Sequence, residues 1–406
     1  MKWEKVKLGE LYEVHNGLSK AGKFFGEGYP FLTFSTVFNN YFIPKQITDL
    51  VQSTEKEQES YSIRRGDVFV TRTSETSDEL GMSCVALKDY PMATYNGFTK
   101  RMRPITNRVF PEYIGYYMRL PSFRGEFRAF STMTTRASLR NEDLLGLEVK
   151  LPSIEIQKKI ADILSAYDDL IENNQKQIKL MEEAAQRLYK EWFVDLRFPG
   201  HENTKIVDGV PEGWRVASIA DICDTVGGGT PSTKIQSYYE KGDILWVTPT
   251  DITRNFSLAL LDTEKKITPE GLKNSSAKML PAETILMTSR ASVGFFGMCK
   301  YEVCTNQGFI SCIPKRENLQ MYLLFNLKSR VEEIRQKAGG STYLEISKTV
   351  FRELKIILPK DEVLAEYQKN VHDIFDEIYC RTEMIKSLVD MRNRVLPKLM
   401  SGEVEV

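Results

Sequence analysis

Polar and basic side chains recur in loops and at the predicted ends of strands, in two sets that follow the same order along the 406-residue chain. The first set comprises Lys20, Lys23, Ser35, Thr36, Arg72, Thr73, Asn96, Lys100, Arg101 and Arg136. The second set comprises Thr230, Ser232, Lys234, Thr248, Thr250, Ser289, Arg290, Asn306, Gln307 and Tyr343. Arginine and lysine pair with phosphates or guanine, asparagine and glutamine hydrogen-bond adenine, and serine and threonine contact either. Ordinary surface polarity explains any single member better, but the recurrence of the set favours contact with DNA.

Motifs that bind nucleotides or carry out catalysis are missing. The sequence has no GxxxxGK[ST] loop, no GxGxxG, HExxH or GxSxG, and no Asn/Asp-Pro-Pro-aromatic tetrapeptide of amino-methyltransferases. The glycines at 227–229 could surround a phosphate, but without a following lysine and helix they are more often a turn. Three scattered histidines and six cysteines without a CxxC pair make a metal centre or a disulfide framework improbable. We therefore expect no catalytic residues, no metal and no bound cofactor.

Composition and length indicate an ordinary globular protein of more than one domain. Apolar residues make up 42% and charged residues 27% of the chain, and 55 basic residues balance 55 acidic ones. At roughly 100–200 residues per domain, two or three domains are expected. A net charge of zero argues against a protein that coats nucleic acid along its whole surface. No apolar run is long enough to cross a membrane or serve as a signal peptide, so we expect a cytoplasmic protein with no membrane contact.

An internal repeat organises the chain. Five segments of the first half align in order with segments of the second half, at offsets between 207 and 217 residues. The pairs begin at Trp3 with Trp214, and continue through residues 31–36 with 245–250 and residues 66–72 with 283–290. Residues 94–98 then align with 305–309, and residues 147–152 with 354–359. Five matches in the same order along the chain predict a duplicated α/β unit.

Each half ends in a long helical segment. Apolar residues recur there at the 3–4 spacing of a helix–helix contact, and a proline and acidic first-turn residues precede each run. The predicted contact residues are Ile160, Ile163, Tyr167, Leu170, Leu188 and Trp192, then Val371, Ile374, Ile378, Ile385 and Leu388. Two amphipathic helices that cover separate domains are the alternative, but a length of about 35 residues favours helices that pack on each other.

These patterns divide the chain into five parts. We predict a first globular domain over residues 1–150, a helix over 151–196, a Pro/Gly-containing linker over 197–213, a second globular domain over 214–358, and a second helix over 359–406.

Several short motifs resemble one protein family. They are Leu145-x-Leu147-x4-Pro152-x4-Gln157-x2-Ile160, the run Leu188-Tyr189-Lys190-Glu191-Trp192-Phe193-Val194-Asp195, the segment Val210-Pro211-Glu212-Gly213-Trp214, and the end Leu399-Met400-Ser401-Gly402-Glu403. With the duplication, they resemble the specificity subunit of type I restriction-modification enzymes over the whole chain. One departure is the second helix, which has extra residues between Pro359 and Gln368.

The resemblance implies an architecture and a role. It implies α/β (α+β) target-recognition domains, duplicated with pseudo-twofold symmetry and separated by two long antiparallel coiled-coil helices. Each domain would read one half of a bipartite double-stranded DNA target. The helices would set the gap and dock two methyltransferase subunits that carry S-adenosylmethionine, and restriction (motor) subunits that use ATP and Mg²⁺ would join the complex.

Two other functions stay open at this point. One is a DNA-modifying enzyme with an unrecognised catalytic motif, and the other is a coiled-coil scaffold with no DNA role. Within the preferred interpretation, Arg72, Arg136 and Arg290 are expected on the side that faces DNA.

Overall fold

The computed structural model describes residues 3–74, 79–128, 137–340 and 343–406. The chain forms two compact units, each made of segments that are distant in sequence. Unit 1 comprises Met1–Asp169 and Leu388–Val406, and unit 2 comprises Leu170–Ser387. Each unit therefore contains one globular domain together with parts of both long helices.

Unit 1 is built on small sheets whose strands are mostly antiparallel. Its strands are β1 (Glu4–Lys7), β2 (Tyr12–Asn16), β3 (Phe25–Leu32), β4 (Leu50–Val51), β5 (Val68–Thr71), β6 (Thr73–Ser74), β7 (Ser83–Val85), β8 (Thr94–Tyr95), β9 (Thr99–Pro104), β10 (Ala137–Ser138) and β11 (Glu148–Leu151). The main sheet has the order β2-β9-β5-β7, and a smaller sheet has the order β4-β3-β8, in which β3 and β8 are parallel. Strand β1 pairs with β11, so the two ends of the domain lie side by side.

Short helices connect these strands. They are α1 (Leu8–Leu11), α2 (Phe34–Asn39), α3 (Glu55–Ser60), α4 (Pro111–Tyr117), α5 (Pro121–Arg128) and α6 (Asn141–Gly146). The core of unit 1 includes Val6, Val70 and Met102 from the strands and Tyr113 and Tyr116 from α4. Aromatic residues of α4 thus cover one face of the main sheet, which explains the apolar Tyr-Ile-Gly-Tyr-Tyr run there.

Unit 2 repeats this arrangement. Its strands are β12 (Ile206–Val207), β13 (Val210–Pro211), β14 (Arg215–Ser218), β15 (Cys223–Val226), β16 (Ile244–Val247), β17 (Lys266–Ile267), β18 (Ile285–Thr288), β19 (Phe296–Gly297), β20 (Cys304–Thr305), β21 (Phe309–Pro314) and β22 (Lys355–Leu358). The first long helix, Ile154–Tyr189, is α7. The helices of unit 2 are α8 (Ile219–Ile222), α9 (Pro249–Thr253), α10 (Pro269–Lys273), α11 (Gln320–Ser329), α12 (Val331–Gln336) and α13 (Lys348–Arg352). The sheet orders β15-β21-β18-β19 and β17-β16-β20 and the pair β14-β22 match those of unit 1. The predicted duplication of an α/β unit is confirmed.

The strand register corrects one detail of the predicted alignment. Thr71 pairs with Thr99 in unit 1, and Thr288 pairs with Phe309 in unit 2. Asn96 therefore corresponds to Asn306, one residue from the alignment of 94–98 with 305–309. The side chains agree, because the Oδ1 atom of Asn96 accepts from the N–H of Phe98 and that of Asn306 accepts from the N–H of Gly308.

The long helices are α7 (Ile154–Tyr189), which continues as a wider π-helical turn over Lys190–Val194, and α14 (Asp361–Ser401). In unit 1, Ile160 and Leu164 of α7 share a core with Leu396 and Met400 of α14. In unit 2, the Tyr367 hydroxyl lies 3.4 Å from the carbonyl oxygen of Ala185, and Arg381 donates to Asn174 at 3.1 Å. The two helices are antiparallel in each unit. In the part of the chain that the structure describes, no helix has the length and hydropathy required to span a membrane.

The predicted contact residues of the helices are only partly buried. Ile160, Trp192, Val371, Ile378 and Ile385 are buried, and Tyr167, Leu188, Ile374 and Leu388 are half-buried. The assignment of Ile163 and Leu170 to the contact is wrong within this chain, because these side chains are 37% and 49% exposed. Leu164 and Asn174 lie in the contact instead, and Ile178 is buried, since an α-helix has 3.6 residues per turn and its buried face drifts from a strict 3–4 repeat.

A buried glutamine anchors each long helix to its domain. The Gln157 side chain accepts from the N–H of Phe110 at 2.8 Å and donates to the carbonyl oxygen of Arg108 at 2.9 Å. Gln368 accepts from the N–H of Met321 at 2.9 Å in the same way. The extra residues before Gln368 therefore lengthen the first part of α14 by about one helical turn and preserve the contact.

Replacement of this glutamine tests its role. We expect Gln157→Leu to lower the free energy of unfolding of unit 1 by about 1–3 kcal/mol, because the buried N–H of Phe110 loses its acceptor. The exposed Gln175 on the same helix is the matched control, and Gln175→Leu should leave urea unfolding unchanged. Equal unfolding midpoints for the two variants would contradict the anchoring role.

Candidate nucleic-acid interface

Four segments of unit 2 form one continuous surface, here called loop surface 2, made of residues 227–230, 289–291, 306–308 and 343–346. Backbone hydrogen bonds join them: Gly229 N–H to the Thr305 oxygen at 2.9 Å, Ser289 N–H to the Gly308 oxygen at 2.8 Å, and Ala291 N–H to the Leu344 oxygen at 2.8 Å. The Thr230 hydroxyl also donates to the Gln307 side-chain oxygen at 2.6 Å. Most of the second candidate set is thereby brought together at the end of the main sheet.

Unit 1 has the same arrangement, here called loop surface 1, made of residues 16–19, 72–74, 96–98 and 137–139. Leu18 N–H donates to the Tyr95 oxygen at 2.8 Å, Arg72 N–H to the Phe98 oxygen at 3.0 Å, and Leu139 N–H to the Arg72 oxygen at 2.9 Å. Each bond has a counterpart in loop surface 2, and the counterpart of the last is the bond from Ile346 N–H to the Ser289 oxygen at 3.1 Å. The duplication therefore extends from the sheets to the loops.

A glycine is required at the same place in both surfaces. A methyl group on Gly17 would lie 2.0 Å from the Asn96 carbonyl oxygen, and one on Gly228 would lie 2.1 Å from the Thr305 oxygen. Only glycine allows the two turns to approach this closely. The glycines at 227–229 thus serve as a packed turn.

Two buried threonines hold the loops that carry Arg72 and Arg290. The Thr71 hydroxyl accepts from the N–H of Met82 at 2.9 Å and donates to the Glu79 oxygen at 2.5 Å. The Thr288 hydroxyl accepts from the N–H of Phe295 at 2.9 Å and donates to the Ser292 oxygen. These two threonines are not among the candidates predicted from the sequence, although each ends the same repeated strand.

Several candidate side chains of unit 2 are available at the surface. Arg290 is 52% exposed, with its guanidinium 3.7 Å from Glu345 and 5.9 Å from the ring of Tyr343, which is itself 59% exposed. Gln307, Ser232 and Lys234 are also exposed.

Other members of the second set have local bonds or little exposure. The Thr248 hydroxyl donates to Asp251 at 2.6 Å and caps α9. Ser289 is buried. The Asn306 side chain accepts from the N–H of Gly308 within its own turn. Thr250 lines a separate cavity beside α14.

Three basic candidates of unit 1 have internal bonds, which corrects their assignment to a free surface. Lys20 pairs with Glu57 at 2.8 Å. Lys100 is buried and bonds to Asn141, and burial lowers the pKa of its ammonium, as does the charge of Arg72. Arg101 is buried over the Tyr95 ring and donates to the Ser62 oxygen at 2.8 Å.

The other candidates of unit 1 are more accessible. Lys23 and Ser35 are exposed, while Arg72, Thr73, Thr36 and Asn96 are half-buried. Thr36 bonds to Thr33 at 2.9 Å. Arg136 lies outside the described residues.

Among the residues that the structure describes, one group of potential metal ligands occurs, and it lies in unit 2. His372 lies 3.0 Å from Glu283 through its Nε2 atom and 3.4 Å from Asp376 through its Nδ1 atom. Lys300 pairs with Asp376 at 2.5 Å. The two ring nitrogens lie near carboxylates and Asp376 pairs with Lys300, so contacts within the chain already hold this group together.

Comparisons with known proteins identify the family. Residues 1–183 and 211–389 match the family described as "Type I restriction modification DNA specificity domain". The HindI specificity subunit of Haemophilus influenzae is 24% identical to the chain, over 99% of each protein. The MjaIX specificity subunit of Methanocaldococcus jannaschii is 38% identical over 173 residues, which cover 42% of this chain and 39% of that protein.

A solved structure has the same fold. The S subunit of a type I restriction-modification system from M. genitalium superposes with a TM-score of 0.58 at 15% identity, and the match covers 98% of this chain and 96% of that one. The duplicated fold, the repeated loop surfaces and a family match over both halves lead to one conclusion. This chain belongs to the family of type I restriction-modification DNA specificity subunits.

Proposed function

We propose that each unit of this specificity subunit contacts one half of a bipartite DNA target through its loop surface. The observation that carries the proposal is the repetition of the same four loop segments, with the same backbone bonds, in both units. As a specificity subunit the chain is a targeting component and not the catalyst. It acts on DNA in the cytoplasm.

The chemistry of loop surface 2 suits direct contact with base edges. Arg290 offers a planar set of donors to guanine or phosphate, Gln307 offers a donor and an acceptor to adenine, and Tyr343 offers a hydroxyl and an apolar ring. Backbone hydrogen bonds hold the loops beneath these side chains, which limits the conformational entropy lost on binding. We assign sequence recognition to this set. In loop surface 1 we assign it to Arg72, which the strand register aligns with Ser289, one residue before Arg290.

The family match and the long helices support a proposal about the partner subunits. We propose that two methyltransferase subunits, which carry S-adenosylmethionine, dock on the helices, and that restriction subunits that use ATP and Mg²⁺ join the complex. Ile163 and Leu170 of α7 and Met384 and Met391 of α14 are exposed apolar residues, which support docking because such residues are enriched at protein interfaces.

Mapping of methylated bases tests the proposal. The complex of this chain with its methyltransferase subunits should methylate a target of two short sequences with an unread gap. Methyl transfer by the chain alone would show that it is an enzyme. Assembly of the complex without sequence-specific DNA binding would show that the chain is a scaffold.

Arg290 provides a sharper test. We expect Arg290→Ala to cost about 1–3 kcal/mol of binding and relax one base position if it contacts a base, or to lower the salt slope by about one unit if it contacts a phosphate. Fluorescence anisotropy over a series of salt concentrations measures both. Glu345, which pairs with Arg290, gives the matched variant, because Glu345→Gln removes a negative charge and should not weaken binding. Unchanged affinity, slope and target for Arg290→Ala would remove this residue from the interface.

A further inference from the structure

A basic groove lies beside loop surface 2 and was not singled out by the repeated residue pattern. It has a volume of about 780 Å³ and is lined by Lys348 and Arg352 of α13, Lys355 of β22 and Thr225 of β15. Residues four apart on a helix lie on the same face, so Lys348 and Arg352 are neighbours. Together the residues offer three positive charges and a hydroxyl to a ligand.

The positive charges of this basic groove are not neutralised within the described part of the chain. Lys348, Arg352 and Lys355 are exposed, and none of them makes an ion pair with a described residue. One carboxylate, that of Glu353, also lines the groove. Other cations of unit 2, such as Lys300 and Lys328, have acidic partners. Three cations and one carboxylate leave the groove with a net positive charge.

The fold itself does not require these cations, because unit 1 lacks them. Lys355 stands opposite Ser218 in the β14-β22 pair, and Glu148 stands opposite Lys7 at the same place of the β1-β11 pair. Helix α6, the counterpart of α13, carries Glu142 and Asp143 in its first turn. The register of the two pairs aligns Lys348, Arg352 and Lys355 with Asn141, Leu145 and Glu148, so none of the three groove cations has a basic counterpart in unit 1.

The basic groove is continuous with loop surface 2. A methyl group placed on Gly227 would lie 3.4 Å from the Nζ atom of Lys348, and Thr225 precedes the same turn by two residues. A duplex that touches loop surface 2 with its bases also brings its phosphates to the border of that surface. Lysine, arginine and threonine are the side chains that commonly bind phosphate oxygens.

We propose that the basic groove binds phosphates of the DNA backbone beside the half-site that unit 2 contacts. This inference rests on the proposed function and adds an electrostatic difference between the units. The phosphate contacts stabilise the complex on any sequence and contribute nothing to the choice of bases. Unit 2 therefore supplies a larger share of the sequence-independent affinity than unit 1 does.

The test compares charge-neutralised variants of the assembled methyltransferase complex. Lys348→Gln, Arg352→Gln and the triple variant with Lys355→Gln are titrated with a random-sequence duplex and with the mapped target at several salt concentrations. We expect the slope of log K against log salt to fall by about one unit for each phosphate contact removed. Both duplexes should weaken by the same factor, and the methylated sequence should stay the same. Arg215→Gln is the control, since this exposed arginine lies at the other end of β14, opposite Leu358.

The outcomes separate the possible ligands. Unchanged slopes for the triple variant, while the wild-type complex binds its target specifically, would overturn the basic groove proposal and leave the proposed function intact. Normal DNA binding with weaker assembly of the complex would overturn it too and indicate an acidic protein surface as the ligand. Strong competition by inorganic phosphate at this groove, without any effect of the variants on DNA, would indicate a free-phosphate site instead. Failure of the wild-type complex to bind DNA would contradict both proposals.

Discussion

Exchange of residues 1–150 for the equivalent segment of a relative is expected to change one half of the methylated target and to leave the other half unchanged. The ends of this segment lie side by side, because β1 pairs with β11 from Glu4 opposite Leu151 to Lys7 opposite Glu148. Unit 1 also has its own core, which shares no residue with the cores of unit 2. Energetically independent units should contribute additively to binding.

The exchange has one structural requirement. The core of unit 1 includes Ile160 and Leu164 of α7 and Leu396 and Leu399 of α14, so the donor segment must keep a matching apolar face. The reciprocal exchange of residues 214–358 is the control and should change the opposite half. The measurement is methylation mapping of each complex. Simultaneous change of both halves on exchange of one segment would contradict modular recognition.

The duplicated fold was predictable because turn residues, strand patterns and the Trp-opening motif recur in order. The exact register was not predictable, because the sequence match of Gly97-Phe98 with Gly308-Phe309 is stronger than the structural match of Asn96 with Asn306. Backbone pairing of Thr71 with Thr99 and of Thr288 with Phe309 fixes the register instead. Such pairing depends on residues distant in sequence, so a local pattern does not determine it.

The candidate interface was predictable as a set of loops but not residue by residue. Lys100 and Arg101 belong to β9, which lies between β2 and β5 in the main sheet. Neighbouring segments cover both faces of this central strand, so Lys100 on one face and Arg101 on the other are both buried. The sequence alone does not show that neighbouring segments bury this basic pair, because lysine and arginine are usually exposed. The loops that carry Arg290 and Tyr343 have no such cover, and those residues are exposed.

The polar contact between the long helices bears on how they determine the target gap. Asn174 is buried and accepts from Arg381 at 3.1 Å, and Arg381 also pairs with Glu377 at 2.7 Å. A buried polar contact specifies the alignment of two helices, because a shift would leave the Asn174 oxygen without the donor on the other helix. An insertion that preserves this contact must therefore lengthen both helices together.

Duplication of residues 171–177 in α7 together with residues 378–384 in α14 is expected to lengthen the gap by about three base pairs and to leave both half-site sequences unchanged. Seven residues add about 10 Å of helix, and three base pairs span a similar length at about 34 Å per turn. The duplication copies Asn174 and Arg381, so each copy of the buried asparagine keeps an arginine partner. Three base pairs also rotate the duplex by about 100°, whereas one heptad rotates the helix pair by only about 20°. We therefore expect weaker binding along with the longer gap.

The matched control is insertion of the same heptad into α7 alone. The inserted heptad carries its own asparagine, but α7 is then seven residues too long to keep both its contact with Leu396 and the contact of Ala185 with Tyr367. The complex should therefore lose stability and specific methylation. Methylation mapping on targets with gaps of varied length measures the outcome for both variants. An unchanged gap after the paired insertion would show that the helices do not determine the spacing. Altered half-site sequences would show instead that the loop surfaces depend on the helices for their recognition.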